Sequence, residues 1–251
     1  MAELKSQCFL FSWKGQYNNV CELENQLDFV DTVVINSDES NTKPYWITLN
    51  DSCYFSDQFR KALELFDDSK YDFFVHIQAD VSADNWAAIF QSAQDSYQKY
   101  QWGIYAPNVI DSFYVPSNTD VFELEDKLMV VATPDCSAWF IHKDFIREMK
   151  HNLFLLENNF YGWGWDLVIA AFAHLKHRPV IRDYHFTVNH PASTGYKKDE
   201  AETEMITMIR SCPKVIQEVI ITIKINHKKI AELYGRDERP DDNILIYNTS
   251  R

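Results

Sequence analysis

The first hundred residues alternate between two hydrophobic periods, and that alternation confines the chain to a small set of folds. Residues 8–13 and 29–36 are apolar, aromatic and β-branched runs that read as buried strands, and 45–49 is a shorter third. Stretches 19–27, 56–66 and 84–97 instead space their apolar side chains by three and four, as in Phe59, Leu63 and Phe66, the period of an amphipathic helix. Residues 71–78 (YDFFVHIQ) supply a fourth strand. This order predicts an α/β fold with a mainly parallel central sheet flanked by helices. Past residue 100 the rhythm loosens. Segments 102–107, 111–115, 127–132, 137–142 and 179–182 read as strands, 144–152 and 167–176 as helices, and 183–199, with His185, His190 and Gly195, as loop. From residue 200 the pattern is helical, interrupted at Pro213. No repeat or Gly/Ser/Pro-rich linker is present. One main domain is expected over 1–199, its halves about 1–100 and 101–199, with a helical C-terminal extension over 200–251.

Composition narrows the function classes. A chain of 251 residues buries roughly three quarters of its unfolded surface, and 46 % hydrophobic against 24 % charged residues excludes intrinsic disorder. The net charge of −13 repels phosphate backbones, so no nucleic-acid partner is expected. Five widely spaced cysteines without a CxxC pair form neither a disulfide framework nor a zinc pattern. The apolar run 8–11 is too short for a secretory signal, and no stretch approaches a membrane span. A cytoplasmic location is expected.

Ligands on open α/β sheets sit at the carboxyl ends of the strands, and three of those ends carry polar residues: Ser12, Asp38 and Asp80. A carboxylate at Asp80 can hold a divalent cation that neutralises a diphosphate, or it can cap the following helix. Segment 160–166 (FYGWGWD) places two of the 6 glycines and two of the 7 tryptophans within five residues. Glycines there permit unusual backbone shapes, and the faces of Trp163 and Trp165 can stack on a sugar. Asp166 precedes the run LVIAAFAHL, where it serves either as the helix N-cap or as a general base. His190 can complete a metal site with Asp80, and His185 competes for that role.

In their order along the chain these segments resemble GT-A glycosyltransferases, closest to the family 2 type of inverting enzymes. The strand 29–38 followed by Glu39 and Ser40 is similar to that family's nucleoside-binding segment, and 71–80 to its strand leading to an Asp-x-Asp motif. Gly162-Trp163-Gly164-Trp165-Asp166 resembles its acceptor and base segment, and His190 its late metal-binding histidine. The resemblance spans roughly residues 6–196. It implies a GT-A catalytic domain that binds a nucleotide-sugar donor near Ser12, Trp13, Asp38, Gln78 and Asp80. It also implies Mn²⁺ or Mg²⁺ on Asp80 and His190, Asp166 as base, and Trp163, Gly164 and Trp165 about the acceptor. A carbohydrate or lipid-linked acceptor and a role in glycan or cell-surface polysaccharide synthesis follow from the same likeness. Two positions depart from the family: Gln78 replaces the first acid of Asp-x-Asp, and Leu167 stands where some relatives have a second acid.

Rival functions are a non-catalytic carbohydrate- or nucleotide-binding protein of the same fold and a sugar nucleotidyltransferase. The second wants a glycine-rich loop after the first strand, where this chain has one glycine, Gly15. In 200–235, Ile216, Ile220, Ile223, Ile230 and Leu233 recur near helical spacing with Lys224, Lys228 and Lys229 among them. That pattern fits a helix packed on the core, or a peripheral contact with the inner face of a membrane.

Overall fold

The computed structural model describes residues 4–191 and 197–235. Gly195 of the expected loop and the 236–251 end of the expected extension lie outside the described residues. The elements run β1 Ser6–Trp13, α1 Tyr17–Gln26, β2 Asp31–Ser37, β3 Ile47–Thr48, α2 Phe55–Leu65, β4 Phe73–Gln78, β5 Ser82–Ala83 and α3 Trp86–Tyr100. They continue with β6 Ile104–Ile110, the single turn α4 Pro116–Thr119, β7 Asp120–Glu125, β8 Leu128–Val131, β9 Ala138–His142 and α5 Lys143–His151. Last come α6 Trp165–Leu175, β10 Val180–Asn189, α7 Lys198–Ser211, α8 Lys214–Asn226 and α9 Ala231–Tyr234.

The strands form one sheet in the order β3-β2-β1-β4-β9-β6-β10-β8-β7, with β5 paired to β10. All strands but β5, β8 and β9 point the same way, so the sheet is mainly parallel, as the alternation predicts. Side chains alternate across it with period two. Phe9, Phe11 and Phe74 join the core under α2, α5, α6 and α8, whereas Cys8, Leu10, Phe73 and Val75 join the opposite core under α1 and α3.

Three differences from expectation bear on the site. Residues 111–115 are loop, because β6 ends at Ile110 and Asp111 takes a left-handed backbone with φ of 61°. The segment 183–189 is strand rather than loop: β10 extends to Asn189 through pairings with β6 and β5. The helical end is integral to the packing, since Met205, Met208, Ile216, Ile220 and Ile223 share a core with Trp165 and Phe172. A boundary at 199 therefore separates no unit of packing. Pro213 sits at the N-cap of α8, where its missing N–H breaks no helical bond. Among the described residues, no helix is long and apolar enough to cross a membrane, and Cys8, Cys21, Cys53, Cys136 and Cys212 are free thiols.

Candidate active site

Parallel pairing brings the ends of β1, β2 and β4 to one edge of the sheet, with Trp13 opposite Ser37 and Phe11 opposite Gln78. A side chain without a sequence signature ties the first two together. Gln58, buried on α2, donates from Nε2 to the carbonyls of Ser12 at 2.6 Å and Ile35 at 3.1 Å. Ser12 is buried and its Oγ has no hydrogen-bond partner, while Trp13 is half-buried against the core beneath α1 and α3. Asp38 is closed off. It is 1 % exposed, with Oδ1 accepting from the Ser40 N–H at 3.0 Å and Oδ2 from Asn41 Nδ2 at 2.9 Å. The Asn41 bond, opposed by burial and helped by the Ser40 N–H, holds its carboxyl below the usual range. These bonds engage the Asp38 carboxylate in the turn after β2, as is common for short acidic side chains.

Asp80 and His190 do meet. Asn189 pairs with Ser82 and Val188 with Ala83, so the antiparallel contact of β10 with β5 delivers the next residue, His190, to the turn holding Asp80. His190 Nε2 lies 3.5 Å from Asp80 Oδ1, a buried oxygen with no hydrogen-bond partner. Burial opposes the imidazolium, but contact with Asp80 and the charges of Asp80 and Asp135 outweigh it and raise the His190 pKa. The helix-cap alternative for Asp80 fails, because Asn85 caps α3 through a bond from the Ala88 N–H at 3.0 Å. His185 drops out as well. Its Nδ1 is 2.9 Å from buried Asp183, at a distance in sequence and strand register from Asp80. Asp80 and His190 share a cleft of about 200 Å³ with Asp111, Ser82 and Asn189. An unsatisfied buried carboxylate oxygen facing an imidazole nitrogen offers two donors that a divalent cation can take up, with its remaining ligands supplied from outside these two side chains. Among the described residues, no three His, Cys, Asp or Glu side chains gather about one point. Gln78, half-buried at the end of β4, is fixed by its N–H to Ser137 O at 2.8 Å.

The segment 159–166 is built differently from the stacking platform its tryptophans suggest. α6 begins at Trp165, and its N-cap is Gly164, whose φ of 89° only glycine adopts readily. A Cβ at Gly164 would stand 2.7 Å from Met205 Cγ, so this residue meets α7 rather than a ligand. Trp165 is 0 % exposed and packs 6.0 Å from the Phe59 ring, which rules it out as a sugar-stacking face. Trp163 is half-buried against the same core. Asp166 is therefore not the N-cap. It lies in the first turn of α6, 4 % exposed, where the helix dipole still favours a carboxylate.

Its environment was not readable from spacing. Burial lifts the Asp166 pKa to about 6, against a hydrogen bond from the Tyr114 hydroxyl that holds it down, with nearby Asp135 adding a smaller upward push. The Tyr114 phenol, enclosed and beside that carboxylate, is pushed well above its ordinary range and stays a donor. Tyr114 belongs to the loop after β6, which is tied down when Ser112 Oγ donates to Asp135 Oδ2 at 2.6 Å. Asp135 acts electrostatically on both His190 and Asp166. The two candidate centres thus share one charged neighbour, Asp135, in the loop between β8 and β9.

No protein-family model matches the chain, and no curated protein matches it in sequence. Solved structures do. The chain is similar to A197 from STIV, at 12 % identity and a TM-score of 0.50, covering 76 % of this chain and 87 % of that one. It is similar to S. aureus TarS 1–349, at 11 % identity and a TM-score of 0.56, covering 92 % and 69 %. It is also similar to GalNAc-T7 in a structure with UDP, GalNAc and Mn²⁺, at 8 % identity and a TM-score of 0.61, covering 92 % of this chain and 54 % of that one. At such identities the likeness speaks for architecture alone, and the architecture is that of the GT-A fold.

Proposed function

We propose that this protein is a metal-dependent glycosyltransferase that moves a hexose or related sugar from a nucleoside diphosphate to an acceptor hydroxyl with inversion. The observation that carries the reading is the Asp80–His190 couple at the carboxyl edge of a GT-A sheet, with its unsatisfied Asp80 oxygen. Those two residues would hold Mn²⁺ or Mg²⁺. When bound, the cation neutralises charge on the departing diphosphate. Ser12, Trp13 and Gln78 lie at the strand ends on which the nucleoside would rest, the Ser12 carbonyl being held by Gln58. Asp166, with a pKa of about 6, is ionised at neutral pH yet basic enough to accept a proton. The acceptor oxygen attacks the anomeric carbon as its proton passes to an Asp166 oxygen, and the bond to the diphosphate breaks on the opposite face. Tyr114 holds that carboxylate in place. A cytoplasmic setting and a glycan or lipid-linked acceptor belong to the same proposal.

Isothermal titration with UDP, with and without Mn²⁺, tests it. Binding that requires Mn²⁺ and disappears in Asp80→Asn is expected, with the thermal unfolding midpoint nearly unchanged. Equal affinity in the variant would remove Asp80 from the metal.

A further inference from the structure

A cavity with more room than the cleft at Asp80 lies elsewhere among the described residues. About 390 Å³ opens between the start of α2 (Ser56, Asp57, Arg60), the 157–160 segment and Glu204 of α7. That size falls in the range of small-ligand sites. Beside it three aromatic rings meet at the surface: Tyr54 and Phe160 at 4.6 Å, Tyr54 and Tyr161 at 5.4 Å, and Phe160 and Tyr161 at 5.1 Å. Tyr54 and Phe160 are each 38 % exposed. The wall is fixed rather than loose. Glu204 Oε2 accepts from the N–H groups of Phe160 at 2.8 Å and Tyr161 at 3.1 Å, and buried Asn159 donates to Trp163 O at 2.8 Å. Arg60, which lines the cavity, has a buried Nε without a hydrogen-bond partner.

We infer that this cavity is a carbohydrate subsite for a neutral, hydroxyl-rich saccharide. Exposed aromatic faces beside carboxylates, amides and a guanidinium suit a sugar, whose ring has apolar C–H faces and a rim of hydroxyls. Charge selects against the alternative. Asp57, Glu157 and Glu204 against Arg60 leave an excess of negative charge, which disfavours phosphates, nucleotides and uronic acids. Segment 157–165 runs from this cavity directly into the first turn of α6, where Asp166 lies. Under the transferase reading, on which this clause rests, the subsite holds the part of the acceptor glycan remote from the reacting hydroxyl.

Saturation-transfer and amide-shift NMR on the full chain with maltotriose, chitotriose and glucuronate decide the matter. A neutral trisaccharide is expected to saturate, with shifts centred on Asn158, Phe160 and Glu204, and glucuronate to give none. Phe160→Ala is expected to weaken that binding roughly tenfold or more, the loss of one stacking face. Glu157→Gln, at an exposed position, supplies a second variant that leaves the packing intact, and a severalfold loss is expected. Failure of both neutral trisaccharides to saturate, or saturation unaffected by Phe160→Ala, overturns the subsite. The UDP and Mn²⁺ titration is read on the same samples. Saccharide binding without nucleotide binding keeps the subsite and removes its role in transfer, and the converse keeps the transferase reading alone.

Discussion

Asp166 and Tyr114 form a pair whose two members make separable predictions. The folded pKa of Asp166, about 6, lies above its ordinary 3.8, so folding takes up a proton between those values. Below pH 3.8 the group carries no penalty, and above about 6 an ionised buried carboxylate destabilises the fold. Asp166→Asn is therefore expected to gain stability relative to wild type as pH rises from 4 to 8. The gain is at most about 3 kcal/mol, read by denaturant unfolding at both pH values. The same change is expected to lower turnover by roughly two to four orders of magnitude while nucleotide binding survives. Near-normal turnover would remove the base from the mechanism. Tyr114→Phe deletes a bond that holds the Asp166 pKa down. The acidic limb of the kcat profile should then move to higher pH. An unmoved limb would reduce Tyr114 to a packing residue.

Among the elements, the turn leading into α6 is the most constrained. Gly162 has a φ of 82°, and a Cβ there would lie 2.2 Å from Phe55 Cδ1 on α2. Gly15 has a φ of 90° with open space about it. Gly162→Ala is expected to cost about 2–5 kcal/mol, strain plus overpacking, and Gly15→Ala about 1–2 kcal/mol, strain alone. Equal losses in paired urea denaturations would show that the Phe55 contact yields freely. The same turn marks how far sequence could be read. Strands 8–13 and 71–78 and the helical faces at Phe59 and Leu63 were legible, because hydrophobic period dictates them, whereas the meeting of Asp80 with His190 depends on a β10–β5 pairing in a stretch that reads as loop. The fate of the two tryptophans was not legible either. Composition cannot tell a ring that faces a ligand from one that fills a core, and Trp165 fills the core. Asp38, too, has a side chain consumed by its own turn. Gln58, Tyr114 and Asp135 carry no local pattern, since their roles arise from contacts between elements distant in the chain.

For the molecule as a whole, α7 and α8 complete the core that α6 begins. Removing residues beyond 199 uncovers Trp165 and Phe172 and deletes Met205, Met208, Ile216, Ile220 and Ile223. At roughly 1.5–3 kcal/mol for each buried side chain, this loss rivals the entire stability of a domain. A 1–199 fragment is expected to lack a cooperative thermal transition and to bind a hydrophobic dye. A sharp transition near that of the full chain would show an independent catalytic unit. Truncation is accordingly no probe of the membrane contact expected for 200–235. Ile225→Glu in the full chain, at an apolar position 80 % exposed on α8, asks that question with the core intact.

The position of His190 at the far end of β10 also orders events during synthesis. Asp80 emerges from the ribosome early, but its partner follows only after β6, β8 and β9 have been made and α6 has covered them. Until α8 follows in turn, the core that α6 shares with it through Trp165 and Phe172 is incomplete. The nascent chain thus carries an open apolar surface, and an unpaired Asp80, for most of its translation. It should be a client of ribosome-associated chaperones, released only once residues near Ile223 have cleared the exit tunnel.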